Sequence, residues 1–470
     1  MIRRFHLQNP SVFFIVFTTF FPNNSQKPYI RVRTRKCTGM KKNRRNFIRL
    51  SGLTGLGIAS GGLLQGFGAI LKKSKDPEKL TVMGNTLLQG ENSSIIGAYG
   101  AWAAGLTEHK LPTLSFRNKE FVQVDSWKKT ARKRLAERLA VPGTGPTPSV
   151  TIKRQYNYDG LHVEELSWQL PYGAPTDAIL LKPMEAKGKL PGILAFHDHG
   201  GLKYFGTRKI TRTSDELHPM IAAHHKEYYD NLAWANEVAK RGYVVLVADA
   251  FPFGSRRVLL KDVPVDMRNG LSDDEPEKPE HINAYNAWAS NHEHTMAKSL
   301  FSAGTTWPGV FFAEDRKALD ILCERKDVDA DHIGCAGLSG GGMRTVFMAG
   351  QDDRIKCAVC VGFMTTWKDF VLNKATTHTW MTYVPILPNE LDFPEILGLR
   401  VPLPTMVLND TEDELYTLAE MKAADNMLKE IFTKAGAADR YKCSFYPGPH
   451  KFDKAMQAEA FNWFDKWLKA

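Results

Sequence analysis

His332-Ile333-Gly334-Cys335-Ala336-Gly337-Leu338-Ser339-Gly340-Gly341-Gly342 decides how this chain is read. The apolar run His332 to Ala336 follows the turn-like Asp329-Ala330-Asp331 and has the length of a buried strand. Met343 to Ala349 then reads as a helix. Between them, Gly337-Leu338-Ser339-Gly340-Gly341 fits G-x-S-x-G, in which a serine sits on a strained strand-to-helix turn. The residues two before and two after that serine must be small, because strand and helix approach closely there. The expectation is a nucleophilic Ser339 at the carboxyl end of a buried strand.

A serine hydroxyl is a weak nucleophile until a base takes its proton, so partners are sought downstream. Asn409-Asp410-Thr411-Glu412-Asp413-Glu414-Leu415 follows the strand-like Thr405 to Leu408. Pro447-Gly448-Pro449-His450 follows Ser444-Phe445-Tyr446. His450 is read as general base and acid, and Asp413 as the carboxylate that orients it. Asp410 and Glu412 stay open as alternatives to Asp413. Upstream, His197-Asp198-His199-Gly200-Gly201 follows the buried run Ile193 to Phe196. It is read as an oxyanion loop in which the N–H of His199, with Gly200 next, works beside the N–H of Gly340.

Around these segments strands and helices alternate. Val150 to Tyr156, Leu161 to Trp168 and Ala178 to Lys182 read as early antiparallel strands. Ile193 to Phe196, Tyr243 to Ala248, Ile355 to Val361, Thr405 to Leu408 and Lys442 to Tyr446 read as further strands. Helices are expected at Asn231 to Arg241, Trp307 to Arg325, Thr417 to Ala435 and Asp453 to Leu468. The alternation predicts a mainly parallel α/β sheet flanked by helices, in a catalytic domain over 150–470. Two insertions, 254–306 and 364–402, follow carboxyl ends of strands, where such sheets bind ligands. Trp307 and Trp367 are candidate substrate contacts, with Trp380 and Tyr383 nearby. Lys203, Tyr204 and Lys209 are candidates to meet an anionic substrate.

The net charge of +11 is misleading. Of 62 Lys and Arg, twelve lie in residues 1–70, which hold no acid; the other 50 face 51 acidic residues. A near-neutral body does not support nucleic-acid binding. Asn43 to Arg49 resembles a twin-arginine export motif and precedes the apolar, Gly-rich Leu50 to Ala69. Residues 40–70 are therefore read as a signal segment, with a periplasmic or otherwise exported mature protein and no stable membrane span. Met40 begins a well-formed signal by itself, so residues 1–39 are expected to be a non-native upstream extension. Residues 71–149 form an N-terminal extension. There Trp127, Ala131, Leu135 and Leu139 recur every four residues and mark one amphipathic helix packing on the catalytic domain. The six Cys are scattered, and Cys357-Ala358-Val359-Cys360 lies in a buried strand, so neither a disulfide framework nor a redox pair is expected.

The HDHGG loop, the GLSGGG turn, the acidic NDTEDELYTL segment and the YPGPH segment together resemble an exported α/β-hydrolase family. That family is related to dienelactone hydrolases and acetyl xylan esterases, and its members often accompany bacterial polysaccharide-utilisation systems. The likeness runs from about residue 95 to the end and includes Thr305 to Gly309 and Gly362 to Trp367. It implies hydrolysis of carboxylic esters through an acyl-enzyme, with removal of acetyl groups from sugars as the expected case, and no cofactor is expected. Dienelactone hydrolases use a Cys nucleophile; Ser339 here favours ordinary esters. A serine peptidase of the same fold is the first alternative. A metal-dependent deacetylase is the second, since histidines cluster at His197/His199, His224/His225 and His292/Glu293/His294; no helix-spaced ligand pair supports it, and no metal is expected.

Overall fold

The computed structural model describes residues 94–108 and 111–469. The signal segment, the upstream extension and residues 71–93 lie outside the described residues. Nine strands form one sheet: β1 (Thr151–Tyr158), β2 (Leu161–Trp168), β3 (Thr176–Pro183), β4 (Leu190–Phe196), β5 (Val244–Ala248), β6 (Val328–Leu338), β7 (Ile355–Val361), β8 (Thr405–Asp410) and β9 (Tyr441–Tyr446). Their order is β1-β2-β3-β5-β4-β6-β7-β8-β9. β4 to β9 are mutually parallel, and β1, β2 and β3 join them as an antiparallel meander.

Sequence dictates which strands are central. Every residue of β5 (VVLVA) and β8 is buried, as a parallel strand covered on both faces requires. β1 (TIKRQYNY) is largely exposed and carries Lys153 and Arg154, charges that blunt an open sheet edge. Side chains alternate between two cores. Leu194, Phe196, Cys335 and Cys360 face one, and Ile193, Ala195, Ala336 and Cys357 face the other. Cys357 and Cys360 thus point to opposite faces, and burial pushes both thiols up.

The first core is covered by α2 (Val124–Leu139), α6 (Trp307–Glu324), α7 (Gly340–Gln351) and α9 (Leu418–Lys434), the second by α4 (Trp234–Lys240) and α10 (Lys454–Leu468). The four-residue stripe of α2 is fully buried there. The Trp127 indole N–H donates to Leu114 O at 2.7 Å, and Arg132 grips Asp353. The remaining helices are α1 (Gly100–Glu108), α3 (Pro219–Tyr229), α5 (Pro279–Ser302) and α8 (Phe393–Gly398). Among the described residues no helix is long and apolar enough to cross a membrane.

Asp329-Ala330-Asp331 is not a turn. It belongs to β6, where the pairing with β4 jumps from Pro191–Asp329 to Gly192–Ile333, so a bulge absorbs the intervening residues. The first insertion contains α5, a 24-residue helix.

Candidate active site

Ser339 sits between β6 and α7 with φ 58° and ψ −116°, a conformation that favours glycine and marks strain. Its neighbours make room. A Cβ on Gly337 would lie 2.6 Å from Phe196 O, and one on Gly341 would lie 2.4 Å from the same atom. Strand and helix therefore touch at the two positions the motif keeps small. The Ser339 N–H donates to Val361 O at 2.9 Å, which fixes the turn to β7.

His450 follows β9, and Asp413 follows β8. His450 Nδ1 lies 2.6 Å from Asp413 Oδ2, and the Leu415 N–H donates to Asp413 Oδ1 at 2.8 Å. Backbone bonds from Thr411 N to Tyr446 O and from Glu412 N to Gly448 O tie the two loops together. Glu412 is exposed and faces solvent. Asp410 is buried; its Oδ2 accepts from the Lys451 N–H at 3.1 Å, and burial pushes its carboxyl up to about 7. Of the three acids, Asp413 is the one bonded to His450. His450 Nε2 is buried and has no protein partner among the described residues.

Ser339, Gly340, His199, Gly200 and His450 line one cavity of about 320 Å³. Its walls are mostly apolar, with Phe253, Phe311, Phe363, Met343 and Tyr416. The Gly340 α-carbon lies against His199: a Cβ added there would be 3.0 Å from His199 N. Gly340 opens α7, where the first N–H groups of a helix have no intrahelical acceptor. The loop after β4 and the start of α7 therefore lie side by side next to Ser339.

The loop after β4 is held from below. Lys209 is fully buried and donates to Asp198 O and, at 3.1 Å, to His199 O. Burial brings the Lys209 ammonium down to about 8. Asp198 Oδ2 accepts from Tyr229 Oη at 2.5 Å and lies 3.1 Å from His224 Nε2. Gly200 has φ +48°, and a Cβ there would lie 2.4 Å from Asp198 Oδ1, so only glycine fits. His197 is neutral, lowered by burial and then by Lys209 and Arg344. Its Nε2 accepts from the Ala250 N–H, so Nδ1 donates to Asp198 O.

Several expected contacts are corrected. Trp307 is 1% exposed and packs on Phe251 away from the cavity. Trp367 is buried against Phe393, and its indole N–H donates to Leu391 O. Both are core residues: Trp307 opens α6, which covers the first core, and Trp367 packs on Phe370 and Phe393. Lys203 and Lys209 are buried and spend their charges on Glu293 and backbone oxygens, so neither awaits an anionic substrate. The histidine clusters disperse: His224 serves Asp198, and His292 stacks on Trp288. Among the described residues no three His, Cys, Asp or Glu side chains converge as metal ligands.

Glu293 of α5, a member of the His292/Glu293/His294 cluster, has a role that the sequence reading does not foresee. It is buried, and its Oε1 lies 3.1 Å from His199 Nε2 and 2.6 Å from Lys203 Nζ. The signal was present: Ile282, Tyr285, Ala289, Glu293 and Ala297 form one buried stripe at helical spacing, and an acid on an apolar stripe needs partners. Thr377, His378, Thr379, Met381 and Thr382 of the second insertion, and Tyr228 of α3, also line the cavity unanticipated.

Fold and site together define an α/β-hydrolase with a serine on its elbow. The prolyl oligopeptidase family model matches residues 303–399, from just before α6 through the elbow into the second insertion. A Bacillus subtilis protein named "Putative hydrolase YtaP" is 26% identical over 341 residues, covering 72% of this chain and 98% of its own. Among solved structures, a "putative acetyl xylan esterase" from Bacteroides fragilis superposes with a TM-score of 0.55 at 17% identity, covering 76% of this chain and 84% of its own. A glucuronoyl esterase from Solibacter usitatus does so with a TM-score of 0.51 at 15% identity, covering 76% and 97%.

Proposed function

We propose that this protein is a serine carboxylic-ester hydrolase. The observation that carries the reading is the His450–Asp413 pair at 2.6 Å, with His450 Nε2 unpartnered in the cavity that Ser339 lines. In the proposed mechanism His450 Nε2 takes the Ser339 proton as Oγ attacks the ester carbonyl. Asp413 fixes the tautomer with the proton on Nδ1 and stabilises the imidazolium. The N–H groups of His199 and Gly340 receive the oxyanion. His450 then protonates the leaving alcohol, and water, activated the same way, releases the acid from Ser339. No step calls for a metal or cofactor.

A carbohydrate ester of acetyl type, met during polysaccharide breakdown, is the proposed substrate. The resemblance to acetyl xylan esterases supports it. Export through a twin-arginine route, ending in the periplasm, is proposed from residues 43–69. The prolyl oligopeptidase match keeps a second reading, a serine peptidase. Release assays on acetylated polysaccharides, methyl uronates, short aryl esters and peptides separate them. Ester hydrolysis that is lost in Ser339→Ala and indifferent to a chelator is expected. Activity on peptides alone overturns the esterase reading; hydrolysis that survives Ser339→Ala but not chelation overturns the serine mechanism.

A further inference from the structure

Glu293 joins three segments that are distant in sequence. Oε1 meets His199 Nε2 at 3.1 Å and Lys203 Nζ at 2.6 Å, both from the loop after β4. Oε2 accepts from Thr379 Oγ1 at 2.7 Å and from the Trp380 N–H at 3.1 Å, both from the second insertion. Burial, which pushes a carboxyl up, is outweighed by the bond from His199 and the charge of Lys203, and Glu293 is held at about 2.

The imidazole of His199 responds to this. Its Nδ1 accepts from the Gly201 N–H at 3.1 Å. Burial and then Lys203 lower its pKa, so the ring is neutral and Nε2 carries the proton. That proton goes to Glu293. A half-buried ring with both nitrogens committed is held against rotation, and the backbone N–H of the same residue is the proposed oxyanion donor.

We propose that Glu293 is a positioning residue for the oxyanion site: through the His199 ring it fixes the His199 N–H beside Ser339, and through Thr379 and Trp380 it makes that placement depend on the seated second insertion. This rests on the serine esterase reading. Glu293 touches neither substrate nor reacting atoms. An ångström of misplacement at such a donor costs on the order of 10- to 100-fold in rate.

The test compares Glu293→Gln, His199→Asn and the double variant on a short aryl ester. Asn at 199 keeps an acceptor near the Gly201 N–H and drops the link to Glu293. Expected is a kcat loss of about 10- to 100-fold in each single variant, KM within about two-fold, and a double variant no worse than the poorer single. Affinity for a trifluoromethyl ketone, whose serine adduct carries an oxyanion, falls by the same factor as kcat/KM. A purely structural role lowers the fraction of titratable active sites and leaves that affinity unchanged. If Glu293→Gln does not fold, His199→Asn alone carries the comparison. Wild-type kcat in a folded variant, or additive losses in the double, overturns the inference. Hydrolysis that persists in Ser339→Ala instead overturns the underlying esterase reading.

Discussion

The elbow and the two insertions above it are held by different physics. At the elbow, shape does the work: Gly337 and Gly341 let backbone meet backbone at Phe196 O, and Ser339 is strained into its position. Above it, charge does the work: Glu293 and Lys203 are buried, and with the half-buried His199 they are satisfied by one another and by nearby polar groups. A contact made by backbone shape tolerates no added atom. A contact made by buried charges tolerates no lost partner, because the one left behind stays desolvated.

Asp413→Asn has the largest expected effect. It disturbs the His450 tautomer while keeping the fold, so kcat falls on the order of 10³- to 10⁴-fold in a steady-state ester assay. Near-normal kcat in Asp413→Asn and a comparable loss in Asp410→Asn would transfer the role to Asp410.

Gly341→Ala comes next and breaks the shape side. Its Cβ would sit 2.4 Å from Phe196 O, a backbone atom that has little room to move. A destabilisation of about 1–3 kcal/mol is expected in urea unfolding. An unchanged midpoint would mean that the close approach is not real.

Asp410 sharpens the charge side. Its carboxyl, pushed by burial to about 7 and left with Oδ1 unpartnered, lies above the unfolded value of roughly 3.9. A raised acid stabilises the fold below the unfolded value and loses that contribution as pH climbs toward 7. Unfolding free energies at pH 4.5 and 7.5 should therefore fall less steeply in Asp410→Asn than in the parent. Parallel slopes would contradict this.

The smallest effect is expected at Trp307, where Trp307→Phe lowers stability and leaves KM within about two-fold. A KM change without a stability change would restore it as a substrate contact.

The same contrast explains what could be read from the chain. The elbow, the strand ends bearing Asp410–Asp413 and His450, and the α2 stripe were legible, because glycine spacing and apolar periodicity are local. β2 and β7 even have the expected bounds. The clasp was not legible. Glu293 lies 94 residues from His199 and 86 from Thr379, and only the fold brings them together. Lys203 and Lys209 misled for the same reason: a lysine in a loop reads as solvent-facing until its buried acceptors are known. The tryptophans misled because Trp307, just past the first insertion, and Trp367, near the start of the second, both turn into the core. The cavity walls are shared by the second insertion and the loops that follow the strands, segments that only the fold brings together.

Covalent trapping at Ser339 tests the central claim most directly. The protein is treated with an aryl phosphonate fluoride, and its mass is read intact and after digestion. One adduct per chain, on the peptide carrying Ser339 and absent from Ser339→Ala and from His450→Ala, is the result predicted. No adduct at Ser339 in protein that still hydrolyses esters would contradict it.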